Sequence, residues 1–149
     1  MTVIAWDGSV LATDKQATSS GLRQTATKLR RINGCMCAVT GDWDRAQAVF
    51  EWFARGAKPE DYPEFQKNND DWVGMLVVHP DNKVVKYERV PYPYPIEDTP
   101  FAIGSGREYA IGAMAAGCNA VQAVHIASRY DAGCGLGVDW MTNAKTEAA

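Results

Sequence analysis

The chain opens with Met1-Thr2-Val3-Ile4-Ala5-Trp6-Asp7-Gly8-Ser9-Val10-Leu11-Ala12-Thr13-Asp14. Two short runs rich in β-forming residues flank the dipeptide Asp7-Gly8. An Asp-Gly dipeptide between such runs predicts a tight type I′ hairpin. The pattern therefore places the first strand almost at the terminus, where the hairpin would hold in a sheet a segment that usually frays.

Thr2 directly follows the initial methionine. Removal of Met1 would leave Thr2 with a free α-amine next to its own hydroxyl. Such a residue contains both a nucleophile and a base, which is one known way to activate a threonine hydroxyl. The alternative is that Thr2 is only a small residue after the methionine, so the choice depends on the rest of the chain.

The composition indicates a soluble globular protein. The chain has 149 residues, of which 46% are hydrophobic and 22% charged. This length predicts a single domain over residues 1–149. A net charge of -3 argues against a general nucleic-acid binder, and no apolar run reaches the about 18 residues that span a membrane.

The cysteines predict the compartment. The four cysteines, Cys35, Cys37, Cys118 and Cys134, lack the spacing of a zinc site and are expected to be reduced thiols. The N-terminus has no basic segment followed by an apolar core, so we expect no secretory signal. Both observations favour a cytoplasmic protein.

The first half of the chain predicts a second hairpin and a helix. Residues 14–27 are polar and without periodicity, which indicates a loop. Residues 29–32 and 35–39 flank Asn33-Gly34, again a strong turn dipeptide. Asp42 would cap the helix that follows, and Asp44 would be an acid in its first turn, at the positive end of the helix dipole. Its predicted buried face consists of Ala46, Val49, Phe50 and Phe53.

The second half predicts further strands and two helices. Residues 56–71 indicate a loop with at most one short turn, 91–95 an extended segment that is not a central strand because of its prolines, and 142–149 a mobile tail. Strands are predicted at 72–78, 83–88, 101–103 and 136–141, and helices at 107–116 and 120–130 with Asn119 as cap. The order predicts an α+β domain with helices outside two packed sheets.

Six short motifs lie in order along the chain. They are Thr2-Val3-Ile4-Ala5, Ala12-Thr13-Asp14-Lys15-Gln16-Ala17-Thr18, Thr27-Lys28-Leu29-Arg30-Arg31-Ile32, Ala38-Val39-Thr40-Gly41, Ala102-Ile103-Gly104-Ser105-Gly106 with Tyr109-Ala110, and Tyr130-Asp131-Ala132-Gly133-Cys134-Gly135. Together they resemble the β-subunits of the proteasome and of the bacterial HslV-type peptidase, which are N-terminal-nucleophile hydrolases. The resemblance implies a four-layer αββα sandwich, with a shortened helical layer because residues 56–71 stand where the family has a long helix.

The resemblance also implies catalytic roles. Thr2 would be the nucleophile, Lys28 would place an ammonium beside it, and Asp14 would hold Lys28. Gly41 would donate its N–H to the oxyanion. Without the resemblance, the residues themselves favour an ordinary ion pair or two solvated charges for Asp14 and Lys28, and the alternative for Gly41 is a plain turn glycine.

Further residues would support the reaction by resemblance. Ser105 and Asp131 would complete the hydrogen-bond network around Thr2, although a helix cap and a solvated helix end are the alternatives. Cys134 stands where the proteasome has a serine, and is either a weak donor or a small buried residue. Thr18 would offer backbone hydrogen bonds to an extended substrate, and Val39 would line the first specificity pocket.

The resemblance also implies what the protein binds and assembles with. The chemistry would need no cofactor, although a structural cation on the carbonyls of Tyr130, Gly133 and Leu136 is left open. The subunits would form stacked rings of identical chains around peptide or unfolded-protein substrates, with an ATP-dependent unfoldase left open as a partner.

The leading hypothesis is a threonine endopeptidase that acts through an acyl-enzyme on Thr2 after Met1 is removed. One alternative is a catalytically inactive assembly subunit of the same fold that retains Met1. Another is a small-molecule amidase of the same superfamily. A small open oligomer would favour the amidase over the peptidase.

Overall fold

A computed structural model describes residues 2–64 and 72–143. These ranges contain eleven strands, three α-helices and one 3₁₀ turn. They are β1 (Ile4–Trp6), β2 (Val10–Asp14), β3 (Gln16–Ser19), β4 (Leu22–Thr25), β5 (Leu29–Ile32), β6 (Cys35–Gly41), α1 (Trp43–Ala54), a 3₁₀ turn (Pro59–Asp61), β7 (Val73–Val78), β8 (Val84–Glu88), β9 (Tyr94–Ile96), β10 (Phe101–Ile103), α2 (Arg107–Ala115), α3 (Ala120–Tyr130) and β11 (Val138–Thr142).

Two antiparallel sheets form the body of the molecule. One has the strand order β10-β1-β2-β11, with Ile4 of β1 opposite both Thr13 and Ile103. The other has the order β5-β6-β7-β8-β9, and β3 and β4 pair as a separate hairpin. The proline-containing β9 lies at an edge, as expected for a strand that lacks N–H donors.

The period-two alternation of side chains decides which layer each residue contacts. Val3, just before β1, and Ala5 of β1 face α2 and α3, whereas Ile4 and Trp6 face the other sheet. On β6, Cys37 faces α1 and Met36 faces the first sheet. The packing order is therefore a helix pair, two sheets and a single helix, and the mixed α+β class is confirmed.

Helix α1 buries its predicted face and one residue more. Ala46, Val49, Phe50 and Phe53 are buried, and Trp52 joins them. Asp42 occupies the N-cap position, but its side chain makes no capping bond and instead accepts the Trp72 N–H at 3.1 Å. The start of α1 is thereby tied to the segment that enters β7.

The predicted type I′ turn at Asp7-Gly8 is wrong. Gly8 has a positive φ of 99° but Asp7 does not, and a type I′ turn needs positive φ at both central residues. The reason is tertiary: Asp7 Oδ1 accepts the N–H groups of Ser9 and Val10, while Oδ2 accepts the N–H of Ala120 at the start of α3. The second hairpin does have positive φ at its two turn residues, Asn33 and Gly34.

The predicted loop over residues 14–27 is also wrong, because β3 and β4 form a hairpin there. Ser20 and Gly21 have φ of 51° and 78° and turn the chain. All four residues of β4 are exposed, so the strand lacks the hydrophobic alternation that predicts strands. Main-chain bonds such as Ala26 N–H to Lys15 O, at 2.8 Å, hold it in place.

Smaller differences concern the connections. Within residues 56–64 the structure has the 3₁₀ turn, and the rest of the predicted loop, 65–71, lies outside the described residues. The last strand begins at Val138 rather than at residue 136, and Thr142 belongs to it rather than to a tail. Residues 144–149 of the predicted tail lie outside the described residues. No helix in the described ranges has the length and apolarity needed to cross a membrane.

Candidate active site

Thr2, Lys28 and Asp14 meet at the base of the cleft between the two sheets. Lys28 Nζ donates to Thr2 Oγ1 and to Asp14 Oδ1, both at 2.8 Å. The three residues are buried, although they lie on three different segments of the chain. One ammonium therefore contacts a threonine hydroxyl and a carboxylate with almost no solvent between them.

The Asp14 carboxylate is fixed by the backbone around it. Oδ1 accepts the N–H of Val3 at 3.2 Å, and Oδ2 accepts those of Gln16 at 3.2 Å and Gly135 at 3.1 Å. Burial lowers the pKa of Lys28 from its ordinary value, while the charge and hydrogen bond of Asp14 oppose that shift. The arrangement holds a rigid cation beside the hydroxyl.

A second set of polar groups lies on the nitrogen side of Thr2. The Thr2 N–H donates to Ser105 Oγ at 3.2 Å, Ser105 Oγ lies 3.8 Å from Cys134 Sγ, and Cys134 Sγ donates to Asp131 Oδ2 at 3.5 Å. Burial raises the pKa of Cys134 to about 12, so this thiol keeps its proton. Burial also acts to raise the pKa of Asp131, but hydrogen bonds from Ser105, Gly133 and Cys134 outweigh it and lower the pKa.

The turn before α2 positions the main chain of Thr2. The carbonyl oxygen of Thr2 accepts the N–H of Gly106 at 3.1 Å. A Cβ on Gly104, which has a φ of 95°, would lie 2.1 Å from the same oxygen. Ser105 is not the N-cap of α2, since Gly106 holds that position, so its hydroxyl serves Thr2 instead.

A cavity of about 220 Å³ opens beside Thr2. Val39, Gly41 and Thr18 all line it, together with Gln16, Ala17, Lys28, Thr40, Asp42, Trp43, Ala46 and Trp72. Gly41 has a φ of 106°, and a Cβ there would lie 2.1 Å from the carbonyl oxygen of Trp72. Only glycine fits at that position of the cavity wall.

The predicted cation site is of a different kind. Tyr130 is the last residue of α3, Gly133 and Leu136 follow the helix, and the side chains of Tyr130 and Leu136 are exposed. The side chains of the described ranges include no cluster of three or more His, Cys, Asp or Glu suited to a metal. A site built from backbone carbonyls stays a prediction.

Three contributors escaped the sequence reasoning. Gln16 is 1% exposed and lines the cavity, and its Oε1 has no hydrogen-bond partner among the described residues. Gly104 and Gly135 contact Thr2 O and the Asp14 carboxylate respectively. All three residues belong to the quoted motifs, which were the available signal, but no residue pattern within those motifs assigned them a role.

No protein-family model matches the sequence, and no curated protein matches it either. Solved structures do match. BPH from Thiobacillus denitrificans superposes with a TM-score of 0.69 at 19% identity, covering 97% of this chain and 99% of that chain. The same protein in complex with epoxomicin gives a TM-score of 0.68 at 17% identity with the same coverage.

A third match is eukaryotic HslV from Trypanosoma brucei. It has a TM-score of 0.68 at 20% identity and covers 94% of this chain and 97% of that chain. At these identities the likeness establishes the fold. The chain has the mixed α+β fold of the proteasome-like N-terminal-nucleophile hydrolases, and the resemblance drawn from the six motifs is confirmed at that level.

Proposed function

We propose that this protein is an N-terminal threonine endopeptidase with the four-layer αββα architecture of its structural neighbours. The observation that carries the proposal is the position of Lys28 Nζ, 2.8 Å from both Thr2 Oγ1 and Asp14 Oδ1. A buried ion pair needs no hydroxyl to complete it. A threonine hydroxyl that shares the ammonium at the edge of a cavity is suited to nucleophilic attack.

In the acylation step, Thr2 Oγ forms a bond to the carbonyl carbon of a peptide. Its proton passes to the α-amine of Thr2, which is free once Met1 has been removed. An α-amine has a pKa near ~8, close to neutral pH, as a general base requires. The Lys28 ammonium favours the deprotonated forms of both groups through its charge.

The tetrahedral intermediate carries a negative oxygen that needs a donor. Val39 N–H donates to Lys28 O at 3.1 Å, at the edge of β6 that faces the cleft. Because peptide groups alternate in direction along a strand, the N–H of Gly41 points to the same edge. Gly41 is therefore the proposed oxyanion donor.

Collapse of the intermediate breaks the peptide C–N bond and transfers the proton from the α-ammonium to the leaving amine. Water then hydrolyses the ester, with the α-amine again acting as base, and Thr2 is regenerated. Ser105 would hold the amine in position, with Cys134 and Asp131 behind it. Val39 would line the pocket for the residue before the cleaved bond, and Thr18 would bind the extended substrate through its backbone.

We further propose that identical subunits assemble into stacked rings in the cytoplasm. Large apolar side chains are exposed in the described ranges, among them Leu22 at 68%, Tyr130 at 61% and Trp140 at 56%. Burial between subunits would remove them from water. All four cysteines are free, which suits a reducing compartment. The substrate would be a peptide or an unfolded protein, with an ATP-dependent unfoldase as a proposed partner.

The test is the intact mass of the purified protein before and after treatment with epoxomicin, the ligand in the complex of the structural neighbour. The protein should lack Met1 and gain the mass of one inhibitor molecule per chain. Thr2→Ala should gain none, while Ser9→Ala, a change in the exposed first turn, should react like the wild type.

A retained Met1 with no adduct, in protein made by a host with normal methionine removal, would overturn the peptidase proposal. It would favour the inactive assembly subunit. An adduct on a small open oligomer that cleaves amides but no peptide would favour the amidase.

A further inference from the structure

A second cavity lies on the other side of Thr2. It measures about 410 Å³ and is lined by Thr40, Trp72, Lys86, Glu88, Ile103, Gly104, Ser105 and Arg107. Thr40 and Trp72 also line the first cavity, so the two spaces adjoin. Thr2 borders the first cavity, whereas Ser105, which accepts the Thr2 N–H, borders the second.

The position of the Thr2 nitrogen indicates which part of a substrate would enter the second cavity. In the proposed reaction, which this inference rests on, the α-ammonium of Thr2 protonates the leaving amine. The leaving group must therefore depart on the side of that nitrogen. Ser105 marks this side at 3.2 Å, and the second cavity opens there.

Three charged side chains line the second cavity, and the positive charges outnumber the negative one. Lys86 has a side chain only 12% exposed and pairs with Glu88. Arg107 is held by a hydrogen bond from Nη1 to the carbonyl oxygen of Gly104 at 3.1 Å, and its contact with the exposed Glu108 is a long 4.0 Å. Two cations and one carboxylate leave the cavity with an excess positive charge.

The uncharged part of the lining gives the cavity its walls. A Cβ on Gly74 would lie 3.2 Å from Thr40 Cγ2, 3.2 Å from the Trp72 ring and 3.7 Å from Lys86 Cε. The glycine therefore makes room for the indole and for the lysine stem. Trp72 and Ile103 are the large apolar residues of the lining, and Lys86 and Arg107 are its two cations.

We propose that the second cavity is the subsite for the residue that follows the cleaved bond, and that it selects a carboxylate there. The carboxylate belongs either to an Asp or Glu side chain or to the free C-terminus of a short peptide. Both would accept hydrogen bonds from Lys86 and Arg107. The leaving group, rather than the acyl group, thus sets the preference.

Fluorogenic peptides that differ only after the cleaved bond test the proposal. The first pair has Glu or Gln at that position, and kcat/KM should favour Glu by about five- to tenfold. The second pair ends one residue after the bond, with a free carboxylate or an amide. A preference in the first pair assigns the side chain as the source, and a preference in the second pair assigns the chain terminus.

Variants of the lining should change the preference in opposite directions. Arg107→Gln and Lys86→Met each leave a single cation beside Glu88, and each should reduce the preference to about twofold or less. Glu88→Gln should strengthen it. Lys83→Met, in an exposed lysine that pairs with Asp81 before the same strand, should leave it unchanged.

Epoxomicin separates this inference from the proposed function, because the reagent carries no leaving group. The wild-type protein should therefore form the adduct whether or not the subsite selects a carboxylate. Normal adduct formation with equal cleavage of both members of both pairs would overturn the subsite. Persistence of the preference in Arg107→Gln and Lys86→Met would also overturn it. Absence of any adduct would overturn the proposed function and the subsite with it.

Discussion

Two ion pairs with the same N–O distance share a pair of consecutive residues, one in each ion pair. Lys28 and Asp14 are 2.8 Å apart, and so are Lys15 and Asp139. The side chains of the first pair are 3% and 0% exposed, and those of the second are 22% and 31% exposed. Asp14 and Lys15 are consecutive residues, so one step along the chain leads from a buried ion pair to a partly exposed one.

The comparison shows that burial, more than distance, gives an ion pair its consequences. A pair in contact with water gains little because solvent competes for both charges. A buried pair stabilises the fold little in total, but the loss of one partner leaves a charge without compensation. The buried cation also acts on Thr2 Oγ1 through a medium that screens it weakly.

The largest effect is expected from breaking the buried pair. Lys28→Met should lower the free energy of unfolding by about 3–5 kcal/mol, because Asp14 would remain buried and unpaired. It should also lower kcat/KM by about 10²–10⁴, because Thr2 would lose its ammonium. Lys15→Met should change the stability by less than about 1 kcal/mol. Urea unfolding and peptide cleavage measure both variants.

A double-mutant cycle would sharpen the first prediction. Asp14→Asn combined with Lys28→Met should cost less than the sum of the two single changes, whereas Lys15 and Asp139 should be nearly additive. Equal coupling energies in the two pairs would contradict the role given to burial.

A smaller effect is expected from substituting two glycines, one whose Cβ position is blocked by Thr2 and one on the exposed face of a helix. Gly104→Ala should destabilise the protein by at least about 1–2 kcal/mol and slow epoxomicin adduct formation, because its Cβ would lie 2.1 Å from Thr2 O at a positive φ. Gly112→Ala should stabilise the protein by up to about 1 kcal/mol, because Gly112 is exposed within α2 and no described atom lies within 4 Å of its Cβ position. Thermal unfolding distinguishes the two, and an equal shift in both would count against the close approach at Thr2.

The elements that the sequence predicted well are those whose signals are local. The Asn33-Gly34 turn and the buried face of α1 depend on neighbouring residues and on one periodicity. The predicted Asn119 cap of α3 is local as well, and in the structure Gln122 completes it as a capping box. The Asp7-Gly8 turn was misjudged because a distant group, the N–H of Ala120, binds the Asp7 carboxylate.

The candidate site likewise combines residues that the sequence motifs indicated with contacts that only the folded chain shows. The order of the motifs brought out Thr2, Asp14 and Lys28, which the structure places in contact. The hydrogen bond from Thr2 to Ser105 joins residues 103 positions apart, so its geometry required the folded chain. The second cavity combines residues of β6, β8 and β10 with Trp72 and the turn before α2, and no sequence spacing predicts that meeting.

The smallest effect concerns the cysteines and leaves the fold unchanged. Cys118 is partly exposed, whereas Cys134 is 3% exposed and burial raises its pKa to about 12. Iodoacetamide at pH 8 should modify Cys118 in the native protein and reach Cys134 only after unfolding in urea, since thiolates are the reactive form. Peptide mass mapping of both samples measures the difference.

The raised pKa of Cys134 also fixes the sign of an alkaline effect. Above its ordinary value of 9.0, the thiol ionises in the unfolded chain but keeps its proton in the folded one up to about 12. The unfolded state therefore binds fewer protons in this window, and stability must fall as the pH rises through it. Cys134→Ser should make the decline in urea midpoint between pH 9 and 10.5 shallower while retaining a donor to Asp131. An unchanged slope would show that the Cys134 thiol ionises equally in the folded and unfolded states. That result would contradict the burial of this thiol.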